Sequence, residues 1–306
     1  MNTNPLRRSA GLMRLALILT TTIAASCVDL AGLTAAPPQS AAKPPQPDRR
    51  VTYSTAKNSQ GEAVSLQLHM FLPENWQAED QRPAAVFFFG GGWNGGTPAQ
   101  FYPFCEQLAA RGMVCASAEY RVKSRDGTPP TACVEDGRAA VAFLREHAEQ
   151  WGIDPNRIAA GGGSAGGHVA AATGILPSDN ATTRPNLLLL YNPVIDTSDK
   201  GYGRKQLGVD WQALSPLHHV AAEQPPTLIC HGTADTTTPY AGVVAFRKAM
   251  TAAGNVCTVV PFAGRKHGFF NSPTFRRSLD GKDYAATMKA TVEFLTAQNW
   301  LPVGKE

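Results

Sequence analysis

Gly161-Gly162-Gly163-Ser164-Ala165-Gly166-Gly167-His168 is the stretch on which the reading of this chain turns. It contains G-x-S-x-G as Gly162, Gly163, Ser164, Ala165 and Gly166. A short apolar strand, Arg157–Gly161, precedes the motif, and an alanine-rich helix over Ala165–Ile175 follows it. A strand-to-helix turn this tight needs minimal side chains two positions before and two after the serine. It pushes the serine into a strained backbone conformation, with Oγ above the sheet at the N-terminus of the next helix. Ser164 is therefore a candidate nucleophile. A glycine-rich turn before a helix can instead cradle phosphate, but the P-loop lysine is missing and the spacing is not G-x-G-x-x-G. A purely structural glycine turn is the other alternative.

A nucleophilic serine needs a base and a group to orient that base. His231-Gly232-Thr233-Ala234-Asp235 follows the apolar strand Pro226–His231, and Lys266-His267-Gly268-Phe269-Phe270 follows the strand Val256–Phe262. Asp235 can accept the N–H of His267, fix its tautomer and stabilise the imidazolium formed in turnover. Ser164, Asp235 and His267 each lie just past a strand, so that the turns after three strands carry the three groups. Asp196, after the strand ending at Tyr191, is a rival acid. His168 is read as a packing or supporting residue, His231 as a support of the acid loop, and His218 and His219 as surface residues. Asp136 and Arg138, with Glu119 and Arg121, suit a structural ion-pair network.

Phe87-Phe88-Phe89-Gly90-Gly91-Gly92-Trp93 follows an early apolar run. Its three glycines leave backbone N–H groups uncovered, and a donor aimed at a developing oxyanion is worth about 10²–10³ in rate. This triple-glycine loop, paired with Gly-x-Ser-Ala-Gly-Gly, resembles the hormone-sensitive-lipase-like branch of α/β hydrolases over residues 52–300. The resemblance implies oxyanion donors at the N–H groups of Gly91, Gly92 and Ala165. The residue before the glycines is Phe89, where that branch has a histidine that braces the loop. Phe-Gly-Gly-Gly-Trp is more like a set of bacterial esterases associated with polysaccharide breakdown. Trp93 is either a wall of the acyl or sugar pocket or plain packing.

The remaining pattern agrees with an α/β fold. Val64–Pro73 alternates like a half-exposed antiparallel strand; Ala84–Phe89, Met113–Tyr120 and Leu187–Tyr191 are apolar runs of strands covered on both faces. Helices are expected over Gln100–Arg111, Thr131–Gln150, Tyr240–Ala253 and Tyr284–Gln298. Strands alternating with helices make a mostly parallel central sheet with helices on both faces. Only Ile195–Gln224 lacks clear order, so any lid is small.

The first fifty residues read differently. Arg7, Arg8 and Arg14 precede the short apolar run Leu15–Ala25, the pattern of a signal peptide over residues 1–26. Ala24-Ala25-Ser26-Cys27 resembles a bacterial lipobox. Lipidation of Cys27 would tether the protein to a membrane; ordinary cleavage nearby is the other reading. Residues 27–50 are a proline-rich spacer, which leaves 51–306 as one catalytic domain. Export places the protein in the periplasm, outside the cell or on a bacterial membrane.

The net charge of +4 forms no clustered basic face, so nucleic acid is not expected as a partner. Neither cofactor nor metal is expected: no His-Glu-x-x-His or carboxylate cluster occurs. Cys105, Cys115, Cys133, Cys230 and Cys257 read as buried small hydrophobes, with one disulfide of unassigned pairing as the alternative in an exported protein. The expected chemistry is two-step acyl transfer on a short-chain ester, acetate above all, of a sugar or oligosaccharide. A serine peptidase of the prolyl-oligopeptidase type and a non-catalytic binder on a hydrolase scaffold are the alternatives.

Overall fold

The computed structural model describes residues 43–302. The expected leader, Cys27 and the spacer up to residue 42 lie outside the described residues. The domain begins earlier than residue 51. Asp48 N–H donates to Met70 O at 2.8 Å, and Arg49 opens the first strand, β1 (Arg49–Lys57). This edge strand is mostly exposed and polar, so it carries no apolar signal that separates it from the spacer.

β1 pairs antiparallel with β2 (Ala63–Phe71), which pairs antiparallel with β4 (Val114–Ala118). From there the sheet is parallel through β3 (Arg82–Phe88), β5 (Ile153–Gly163), β6 (Leu187–Tyr191), β7 (Thr227–Gly232) and β8 (Cys257–Phe262). The eight strands run in the order β1-β2-β4-β3-β5-β6-β7-β8. Asp154-Pro155-Asn156, expected as a turn, falls in a register shift inside β5, where Ile153 pairs with Arg82 of β3 and Ile158 with Ala84.

Strand periodicity divides the core in two. In β3, Ala84, Val86 and Phe88 face one cluster, and Ala85 and Phe87 the other. In β6, Leu188 and Leu190 go one way, and Leu187, Leu189 and Tyr191 the opposite way. An apolar run therefore fills both faces of a central strand, each buried side chain contributing about 1.5–3 kcal/mol. The helices α1 (Tyr102–Ala109) and α7 (Lys282–Ala297) cover the second cluster. The short α2 (Lys123–Asp126) precedes α3 (Pro130–Glu146), which covers the first cluster with α4 (Ala165–Ile175) and α6 (Tyr240–Ala252).

Every residue of α4 is buried, because it lies between the sheet and α3. Residues 195–224 contain only the single turn α5 (Arg204–Leu207) and two 3-10 turns, so the lid is small. All five described cysteines are free; Cys257 is half-buried and the other four are buried. Burial pushes their thiols up.

Candidate active site

The turn between β5 and α4 has the strain the motif implies. Ser164 adopts φ 55° and ψ −122°. A Cβ on Gly162 would lie 2.4 Å from Gly166 O, and one on Gly166 would lie 2.0 Å from Phe88 O. No side chain fits at either place, so the backbone crosses itself and Ser164 stands clear.

His267, on the loop after β8, meets Ser164 across the carboxyl ends of the parallel strands. Nδ1 of His267 donates to Asp235 Oδ2 at 2.7 Å; a carboxylate only accepts, so this contact fixes the tautomer. Nε2 is left to accept from Ser164 Oγ at 2.9 Å. The three groups thus lie in one hydrogen-bonded line. The Asp235 side chain is fully buried, whereas that of His267 is 26% exposed. Asp235 also receives N–H groups from Thr237 at 2.9 Å and Thr238 at 3.0 Å, and the Thr238 hydroxyl at 3.0 Å. Burial pushes the Asp235 carboxyl up, but the hydrogen bonds from His267 and Thr238 outweigh it and hold the pKa below the ordinary range.

The rival acid lies elsewhere. Asp196 accepts Ser198 N–H at 2.9 Å within its own turn, and its main-chain oxygen takes Tyr202 N–H. His231 donates to Thr238 O at 2.8 Å and stands 3.5 Å from Asp235, bracing the acid loop. Burial lowers its pKa. His168 is fully buried, donates to Leu214 O at 2.7 Å, and is held by burial at a pKa of about 4. His218 and His219 bond Ser215 and Gln212 and fasten the small lid segment.

The glycine loop after β3 packs against the serine: a Cβ on Gly90 would lie 3.2 Å from Ser164 Cβ. Among the described residues, the N–H groups of Gly91, Gly92 and Ala165 donate to no other group. Gly91 has φ 137°, a conformation that favours glycine, and a Cβ there would lie 2.0 Å from Gly95 O. The loop is fixed by Tyr120, whose hydroxyl donates to Phe89 O at 2.6 Å while its ring stacks on Phe89. Gly90 N–H donates to Gln100 Oε1 at 2.7 Å.

Ser164, His267 and the glycines share a cavity of about 340 Å³ with Phe270, Phe275 and Arg276. A second cavity, about 470 Å³, adjoins it at Gly91, Gly92 and Tyr202 and reaches Lys123 and Gln206. Trp93 is 1% exposed; its ring packs on His168 and Tyr202, and it lines this second space. Sequence reasoning missed Gln100, Asn192, Tyr202, Thr238 and Asn271.

Two family models match: BD-FAE over residues 68–207 and the prolyl oligopeptidase family over residues 188–285. Esterase 2 of Thermogutta terrifontis, in its apo form, is 42% identical with a TM-score of 0.77, covering 84% of this chain and 96% of that one. The same enzyme phosphonylated by sarin is 39% identical with a TM-score of 0.77, at the same coverage. Esterase LipC of Mycobacterium tuberculosis is 28% identical over 257 residues, 73% of this chain and 61% of LipC. An acetylxylan esterase of Xylanibacter ruminicola is 27% identical over 220 residues, 66% of this chain and 43% of that enzyme. The chain thus spans about half the length of the curated relatives it matches.

Proposed function

The chain belongs to the esterases of the α/β-hydrolase fold, and from that premise we propose that it hydrolyses short-chain esters, acetates of carbohydrates foremost, with Ser164 as nucleophile. The observation that carries this reading is the line Ser164 Oγ, His267 Nε2, Nδ1, Asp235 Oδ2, ending beside uncovered N–H groups in an open cavity. His267 takes the Ser164 proton as Oγ attacks the ester carbonyl. The N–H groups of Gly91, Gly92 and Ala165 receive the oxyanion. His267 then protonates the departing alkoxide, and water, activated by the same imidazole, releases the acid from the acyl-enzyme. The buried Asp235 stays ionised throughout and stabilises the imidazolium.

Short acyl groups suit the modest space around Ser164, walled by Phe270, Phe275 and Tyr202. The solved relative was obtained with propionate and butyrate bound, and modified by organophosphates, which supports a small acyl group and a serine nucleophile. The adjoining cavity, where Asn94, Lys123, Thr128 and Gln206 sit beside Trp93 and Tyr202, and the relative named an acetylxylan esterase favour a carbohydrate alcohol. The prolyl oligopeptidase match covers only the acid and base half, which such peptidases share with esterases. Export and a lipid on Cys27 complete the proposal, and globomycin-sensitive processing of the full chain tests them.

The decisive experiment is Ser164→Ala. Turnover of p-nitrophenyl acetate is expected to fall about 10⁶-fold with the fold retained. Acetate release from acetylated xylan is expected, with no turnover of a proline p-nitroanilide. Undiminished ester hydrolysis by Ser164→Ala would reassign the nucleophile, and faster octanoate than acetate hydrolysis would reassign the acyl class.

A further inference from the structure

The oxyanion loop follows β3 and the histidine loop follows β8, with β5, β6 and β7 between them in the sheet. Ester hydrolysis needs the two loops in fixed relation, because donors must sit about 2.7–3.1 Å from the oxyanion while the imidazole stays on Oγ. Each loop could drift independently unless something joins them. One buried connection does so. Gly90 N–H donates to Gln100 Oε1 at 2.7 Å, Gln100 Nε2 donates to Asn271 Oδ1 at 2.8 Å, and Asn271 Nδ2 donates to Gly268 O at 2.8 Å. Gln100 is 8% exposed and Asn271 4%.

The direction of every bond is dictated. Gly90 can only donate, so the Gln100 oxygen faces it and the Gln100 nitrogen faces Asn271. The Asn271 oxygen must then face Gln100, and its nitrogen falls on the Gly268 carbonyl, which can only accept. Neither amide can flip without placing like groups together. The adjacent rings reinforce the tie: Phe101 stacks on Phe270 with centroids 5.9 Å apart.

We propose that Gln100 and Asn271 are positioning residues, a two-amide tie-bar that sets the oxyanion loop against the His267 loop. The proposal rests on the catalytic reading of Ser164 and His267. Both side chains also line the cavity around Ser164, and the role assigned to them is to set the loops rather than to hold substrate. Gln100 orients Gly90, and through it the N–H groups of Gly91 and Gly92; Asn271 holds the peptide that follows His267.

Gln100→Glu is the sharpest variant. It is nearly isosteric and keeps the acceptor for Gly90, but it puts an oxygen against Asn271 Oδ1. Gln100→Ala, Asn271→Ala and their double variant complete the set. Active enzyme is counted by fluorophosphonate labelling run to completion, so that misfolded material does not enter kcat. For each single variant, kcat per labelled site is expected to fall about 10²-fold with KM little changed, and Tm to fall by about a few degrees as a buried group loses its partner. The double variant is expected to be no worse than the worse single, since one broken link already frees the loops. Unchanged kcat per labelled site in Gln100→Glu, or losses that multiply in the double variant, would overturn the tie-bar. Ser164→Ala run alongside separates the two readings. If it is inactive while Gln100→Glu is normal, only the tie-bar fails; if it is active, the catalytic reading itself fails.

Discussion

Asp235 and Asp136 are two buried carboxylates, 5% and 2% exposed, whose partners differ in whether they can exchange a proton. Asp136, on α3, is gripped by Arg121. Its oxygens receive Arg121 N–H at 2.8 Å, Nε at 2.9 Å and Nη2 at 2.7 Å. Arg121 in turn reaches Lys57 O at 2.9 Å and so fastens β1 to the body. Burial pushes the Asp136 carboxyl up and the guanidinium offsets only part of this, while the contact holds the guanidinium charged. The two-pronged geometry keeps this pair ionised at neutral pH. Asp235 is held instead by main-chain amides, a threonine hydroxyl and an imidazole whose far nitrogen reaches the cavity. A permanent cation makes a clamp; a titratable one makes a proton relay.

Substitution of each carboxylate tests that contrast. Asp235→Asn is expected to lower kcat by about 10⁴, because the amide favours the wrong imidazole tautomer, with little change in Tm. Asp196→Asn is expected to leave kcat nearly intact; if it were the more damaging of the two, the acid would be reassigned. Asp136→Asn strands a buried guanidinium and is expected to cost about 3–5 kcal/mol in urea unfolding, while kcat per labelled site is kept. Lost catalysis without lost stability there would break the comparison.

The smallest expected effect concerns pH. His168 has a folded pKa near 4 against 6.5 for the free side chain, so the folded state resists protonation. Above both values the group contributes no pH dependence. As pH falls through this window the unfolded chain takes up the proton first, and stability drops by at most about 3 kcal/mol. His231 acts in the same direction. His168→Gln should therefore flatten, without abolishing, the slope of unfolding free energy against pH. An unchanged slope would mean that His168 is not the resisting group.

How much of this was readable beforehand depended on where the information lay. β3, β6 and α4 announce themselves, since continuous apolar or alanine-rich runs are what doubly covered elements require. β1 does not, because an exposed edge strand is polar on most positions. Ser164, Asp235 and His267 stand out because glycines and strand ends flank them, and the structure gathers their side chains. Gln100 and Asn271 meet across 171 residues of sequence. Nothing local marks a neutral amide for such a task, so only the folded chain could reveal the pairing. Tyr202 likewise gains its place at the junction of two cavities from a segment without regular pattern.

The encasement of α4 sets the terms on which this enzyme could change its preferences. Its wholly buried surface leaves no room for larger side chains, and Gly137 on the neighbouring α3 already lies so near Val169 that a Cβ there would come within 2.5 Å of it. Drift or engineering that reached for new substrates through this helix would unseat Ser164 first. Change that spares the buried helix is left to the rim, where Phe275 is 39% exposed and lines the same cavity as Ser164.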